Sequence, residues 1–194
     1  LYYTAVSVGW NWGYQETPCR ENVIEFNHMH HIGQDRLSDM GAVYTLGIQP
    51  GTVIRNNLIH DVSAFTYGGW GLYPDEGTTG TIWENNVVYR CKSAGFHQHY
   101  GRENVVRNNI VAFNREHQLM RTREEDHTSF IFTNNIVLFD SGQLLGSNWT
   151  NDRFEIDRNI YWDTRLASDP DKIRFGKASV AEWRQRGHDR ESLI

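Results

Sequence analysis

The chain has little that would staple, anchor or tether it. Cys19 and Cys91 are its only cysteines, and no apolar run approaches the roughly 18 residues that a membrane-crossing helix needs. Basic residues are outnumbered: 19 Lys and Arg stand against 24 Asp and Glu, for a net charge of -5. A nucleic-acid partner would require a basic stripe that this balance does not supply, so neither nucleic acid nor membrane is expected as a partner. There is no charged-then-apolar leader and no initiator Met, which says nothing about export and fits a segment of a longer protein. By length, 194 residues make one domain with room for a sizeable core, taken here as 1–194.

What the chain does have is repetition. Asn22-Val-Ile-Glu-Phe-Asn27, Thr52-Val-Ile-Arg-Asn-Asn57, Thr81-Ile-Trp-Glu-Asn-Asn86, Asn104-Val-Val-Arg-Asn-Asn109, Phe130-Ile-Phe-Thr-Asn-Asn135 and Phe154-Glu-Ile-Asp-Arg-Asn159 are six copies of one pattern. Their final asparagines lie 30, 29, 23, 26 and 24 positions apart, the length of one solenoid coil. Leucine-rich repeats share the period, but their regular leucine spacing is missing. The β-branched and aromatic residues around each Asn favour short strands.

Aligned on that Asn, the columns have distinct characters. Three residues before it stand Ile24, Ile54, Trp83, Val106, Phe132 and Ile156, and two after it Met29, Ile59, Val88, Val111, Val137 and Tyr161; both columns are expected to face inward. Two residues before it, Glu25, Arg55, Glu84 and Arg107 alternate in sign, so stacking at about 4.8 Å sets acid beside base. Asparagine suits the corner because it tolerates the left-handed backbone region and its amide bonds neighbouring backbone. The fold expected is an all-β parallel β-solenoid of about six rungs over residues 21–163, closed by a short C-terminal helix near 178–187. Ser179-Val-Ala-Glu182 reads as the capping-box start of that helix, with Val180 and Trp183 covering the solenoid end.

The Val-Ile-x-Asn-Asn corners resemble the right-handed parallel β-helix, or pectate-lyase-like, superfamily over roughly Glu21 to Asp163. More narrowly, Ser7 to Gly13, Leu37 to Gly47, Gly68 to Gly77, Gly95 to Gly101 and Trp183 to Asp189 look like bacterial β-helix proteins grouped with glycoside hydrolase family 141. That resemblance implies an exported enzyme, secreted or periplasmic, acting on plant cell-wall oligo- or polysaccharides with fucosidase- or xylanase-like activity and no cofactor. Members are longer, which implies further rungs and a cap. The resemblance also points to Asp39 and Asp75 as the catalytic pair.

The residues themselves carry a separate reading of the site. Gly68 to Gly77 gathers Trp70, Tyr73, Asp75 and Glu76 among four glycines. Reading back from the corners sets Tyr44 beside Tyr73 and Leu46 beside Asp75. His97 and His99 fall on one face of the next rung, with either Gln98 or His99 beside Asp75. Glu76, Tyr73, Trp70, His97, His99 and Arg121 are the expected sugar contacts. Glycoside cleavage needs two carboxyls about 5 Å apart for retention or about 6.5 to 9.5 Å for inversion. Here the register resists: Asp39 falls opposite Gly68, seven positions from Asp75, which is about 23 Å along a straight strand. The pair therefore requires a chain that folds back before Gly41. Glu76 and Glu116 are reserve carboxylates.

Two alternatives stay open. A polysaccharide lyase would use Arg121, Arg123 or a cation to neutralise a uronate, and a non-catalytic glycan-binding or adhesive solenoid would need no carboxylate pair. His28, His30 and His31 look like a metal cluster, but His30 and His60 fall in one column that reads as packing, with no metal site assigned, and His97 and His99 read as sugar contacts rather than zinc ligands. Cys19 and Cys91, two rungs or about 9.6 Å apart, are expected as free thiols. Trp10, Trp12 and Trp149 are either sugar platforms or core.

Overall fold

Asn86 shows how the chain is held together. Its side-chain oxygen accepts from the Asn57 backbone N–H at 3.1 Å and the Asn57 amide at 3.0 Å, while its own amide donates to Ile54 O and to Asn109 Oδ1, both at 3.0 Å. The same contacts link Asn27 to Asn57, Asn109 to Asn135 and Asn135 to Asn159. The ladder satisfies the backbone groups that a sharp turn leaves unpaired inside the molecule. It ends where Ser192 Oγ accepts from the Asn159 N–H at 2.8 Å and Asp189 accepts from the Asn159 amide.

The corner divides its work between two residues. The left-handed conformation belongs to the position before the ladder asparagine, at Phe26, Asn56, Asn85, Asn108, Asn134 and Arg158, with φ between 55° and 57°. The expectation that one asparagine supplies both backbone tolerance and the amide ladder is corrected accordingly.

The computed structural model describes residues 1–166 and 168–194. Three six-stranded parallel sheets wrap one core, and each coil visits them in order. The first sheet comprises Val6–Val8, Gly41–Thr45, Trp70–Pro74, Ala94–Gln98, His117–Arg121 and Gln143–Ser147. The second carries the charged column and the third follows the asparagine corner. Both predicted inward columns are buried, from Ile24 to Ile156 and from Met29 to Tyr161. In the charged column Arg55 pairs with Glu25 at 2.7 Å and Arg107 with Glu84 at 2.8 Å. These exposed pairs contribute about 0 to 1 kcal/mol each and chiefly fix the register.

The first sheet is kinked, and the kink makes the site. In most strands side chains alternate in and out, but here Ala42–Val43, Gly71–Leu72, Gly95–Phe96, Gln118–Leu119 and Leu144–Leu145 are successive residues that are all buried. A Cβ on Gly71 would lie 2.2 Å from Val88 Cγ1 and 3.2 Å from Cys91 Sγ, so this position faces the core. With two neighbours turned inward, the outward residues on either side swing together. Trp70 and Tyr73 ring centroids come within 4.3 Å. The sheet is therefore concave on its outer face, and the straight-strand separation of Asp39 and Asp75 does not hold.

The C-terminal helix, Val180–Gln185, has the expected capping box between Ser179 and Glu182, and Val180 and Trp183 are buried. Trp183 stacks on Phe175 and donates its indole N–H to Asp189 at 2.8 Å. Asp189 thus joins the helix to the end of the asparagine ladder. Both cysteines are free; Cys91 faces the core, where burial holds its thiol proton far above the usual range. Trp149 is core, whereas Trp10 and Trp12 are exposed. The histidine column keeps its register but lies on the outside, with His30, His60 and Tyr89 stacked. His60 also bonds His28 at 2.7 Å and Asp61 at 2.6 Å.

Candidate active site

The concave face holds a groove of about 390 Å³, lined by Asp39, Trp70, Tyr73, Asp75, Glu76, His97, His99 and Glu116 together with Ser93, Met120 and Thr122. A larger cavity of about 610 Å³ opens beneath the C-terminal helix, but the only carboxylate lining it, Glu182, is engaged in the capping box. The groove, in contrast, gathers four carboxylates and two histidines among the described residues.

Asp75 follows the strand Trp70–Pro74 and is buried. Its Oδ2 accepts from the Tyr44 hydroxyl at 2.7 Å, from the neighbouring coil. Burial raises its pKa, and the hydrogen bond from Tyr44, the His99 charge and Tyr73 only partly oppose that rise. Asp39, in contrast, is exposed and sits in a left-handed turn with φ 54°, its N–H bonded to Tyr67 O at 3.0 Å. Its Oδ1 accepts from the Tyr73 hydroxyl at 3.1 Å. Tyr73 thus donates to Asp39, while Tyr44, whose ring lies 5.1 Å from that of Tyr73, donates to Asp75. Both carboxylates line the same groove, and the Asp39 charge adds to the rise in the Asp75 pKa. The left-handed turn at Asp39, just before Gly41, brings the two carboxylates to one groove.

His99 is the lateral neighbour of Asp75, since its N–H bonds Pro74 O at 3.0 Å, and Gln98 is the residue that turns inward. His97 and His99 share the Thr122 hydroxyl, at 2.9 and 2.7 Å. Burial, and secondarily the His99 charge, hold His97 well below the ordinary histidine range, so its ring is neutral at pH 7. Its Nδ1 has no partner within the protein. The His97 ring stacks on Tyr73 at 4.9 Å and lies 4.2 Å from Trp70, forming an aromatic floor. Trp70 donates its indole N–H to Met120 Sδ. Glu76 bonds the Tyr100 hydroxyl at 3.0 Å and lies 4.0 Å from His99, while Glu116 accepts from Ser93 at 2.7 Å.

Arg121 is the site residue that the structure does not bring to the groove. It pairs in register with Gln98 and, like it, points inward and is fully buried. Its guanidinium donates to Asn148 O at 2.9 Å and Asn151 O at 3.2 Å, meets Glu124 at 3.3 Å and lies over Phe154. Met120 takes its place on the outer face. Tyr44, Tyr67, Thr122 and Met120 were missed as site residues; only Tyr44 had a signal, its alignment beside Tyr73.

A family model described as a right handed beta helix region matches residues 12–159. No match comes from the curated proteins or from the solved structures.

Proposed function

This chain belongs to the right-handed β-helix family, whose fold is common among carbohydrate-active enzymes, and we propose that its groove hydrolyses glycosidic bonds in a neutral plant cell-wall polysaccharide. The observation that carries the reading is a pair of carboxylates in opposite surroundings that line one groove, each held by one of the adjacent phenols Tyr73 and Tyr44. Asp75, buried and with a raised pKa, holds the proton that goes to the leaving oxygen. Asp39, exposed and bonded to Tyr73, is the base or nucleophile.

The remaining groups fit a sugar bound between these two. Trp70, Tyr73 and His97 present flat apolar faces, and His99, which lines the groove, offers a ring nitrogen to hydroxyls. Glu76 acts through His99 and Tyr100 rather than on Asp75 directly.

A lyase acting on uronates finds less support. Of its two arginines, Arg121 faces inward and Arg123 lies over the Tyr100 ring and pairs with Glu125, and the groove lining contains four carboxylates and no Lys or Arg among the described residues. Such a lining repels an anionic ring and suits a neutral one. By the same reading the protein works outside the cytoplasm, where such polysaccharides occur. No helix of the described residues is long and apolar enough to cross a membrane.

The test is product chemistry on xylan, fucosylated xyloglucan and polygalacturonate. New reducing ends from a neutral substrate, without the ultraviolet absorbance of an unsaturated uronate, support hydrolysis. Absorbing products establish the lyase, and binding without products the adhesive reading.

A further inference from the structure

The segment from Gly9 to Tyr14 leaves the first strand and crosses the coils instead of following one. Val8 O accepts from the Leu46 N–H, on the second coil; the Gly13 N–H bonds Glu76 O at 3.3 Å, on the third. The Tyr14 ring meets Tyr100 edge-on at 5.9 Å on the fourth coil, and its hydroxyl reaches Glu125 and His127 on the fifth. This strap lies flat on the backbone beneath it. A Cβ on Gly47, at φ 72°, would stand 2.4 Å from Asn11 O, and one on Gly77, at φ 77°, 2.1 Å from Gly13 O.

From this pinned strap two indoles project into solvent. Trp10 is 68% exposed and Trp12 53%, with ring centroids 5.4 Å apart at 64°. Burying such a ring would stabilise the protein, so a rigid strap that keeps two of them outside signals a ligand. Two indoles cover about 300 to 500 Å², short of the roughly 1,200 Å² of a protein interface, but well matched to the apolar faces of pyranose rings. The strap that carries them is joined to the groove at Glu76, which lines the groove and receives both the Gly13 and the Gly47 N–H on its carbonyl.

We propose that Trp10 and Trp12 form a second glycan-binding subsite, so that a polysaccharide chain runs from the Asp39/Asp75 groove past Glu76 onto the strap. This deepens the hydrolase reading and rests on it for the path of the chain: the substrate is an extended oligosaccharide rather than a single terminal sugar.

Calorimetry in the Asp75→Asn background, with xylohexaose against xylobiose and cellohexaose against cellobiose, tests the subsite without turnover. One hexasaccharide should bind about tenfold more tightly than its disaccharide. Trp10→Ala/Trp12→Ala should abolish that advantage and leave disaccharide affinity unchanged. A length advantage that survives the double substitution overturns the subsite and leaves the groove reading standing. If wild-type protein releases no reducing ends while the tryptophan-dependent advantage persists, hydrolysis falls and the subsite remains. Absence of binding by all four sugars overturns both. Self-association lost in the double variant, with sugar affinity unchanged, would assign the indoles to a second copy instead.

Discussion

The Tyr73 hydroxyl donates to Asp39 Oδ1 at 3.1 Å across the boundary between two coils. It ties an exposed carboxylate just before one strand to the strand that leads into the buried Asp75. The site is thus assembled by the stacking of coils, and each prediction below tests one part of that assembly.

Tyr44 should set the upper pH limit of activity. Its hydrogen bond lowers the pKa of Asp75, while burial, the larger effect, raises it. Removing the hydroxyl in Tyr44→Phe leaves burial less opposed, so Asp75 keeps its proton to higher pH. The basic limb of the kcat/KM profile should move upward. A basic limb that stays in place or moves down would remove Asp75 as the acid.

The kink should depend on the absence of a side chain at position 71. Gly71→Ala places a Cβ 2.2 Å from Val88 Cγ1, an overpacking that costs about 1 to 3 kcal/mol and parts Trp70 from Tyr73. Thermal unfolding and turnover should both fall. Adding Val88→Ala should restore part of each by making room.

Interior and terminal rungs of the asparagine ladder should differ sharply. Asn86→Ala strands buried partners on both sides and should cost about 3 to 5 kcal/mol in urea unfolding. Asn27→Ala, at the exposed first corner, should cost no more than about 1 kcal/mol, because water replaces what is lost.

Arg121 should prove a structural residue. Its buried guanidinium holds the carbonyls of Asn148 and Asn151, so Arg121→Met should lower stability by about 2 to 4 kcal/mol. KM for the substrate should be unchanged. A large rise in KM without loss of stability would return Arg121 to the binding surface.

Much of this architecture is legible in the residues. Asn27 through Asn159 announce the coil length, and the columns led by Ile24 and Met29 declare the inside, because each repeats the same local physics at one period. The alignment of Tyr44 with Tyr73 followed from the same count. What the count misses is the kink. Two successive inward residues, such as Gly71 and Leu72, depend on whether Val88 and Cys91 leave space across the core, and that is a tertiary matter. The straight-strand estimate of about 23 Å between Asp39 and Asp75 failed for this reason. Arg121 was misplaced because a charged side chain reads as exposed, whereas here the carbonyls of a loop take it inside.

The account's central claim is that Asp39 and Asp75 act as a pair, and reducing-end release by Asp39→Asn and Asp75→Asn on the substrate found for the wild type tests it most directly. Both variants keep the groove's shape, so circular dichroism and thermal unfolding should show the fold intact. Each should lose about 10²- to 10⁴-fold in kcat. Wild-type turnover in either variant, or a comparable loss in Glu116→Gln alone, would contradict the pair and move the chemistry to another carboxylate of the groove.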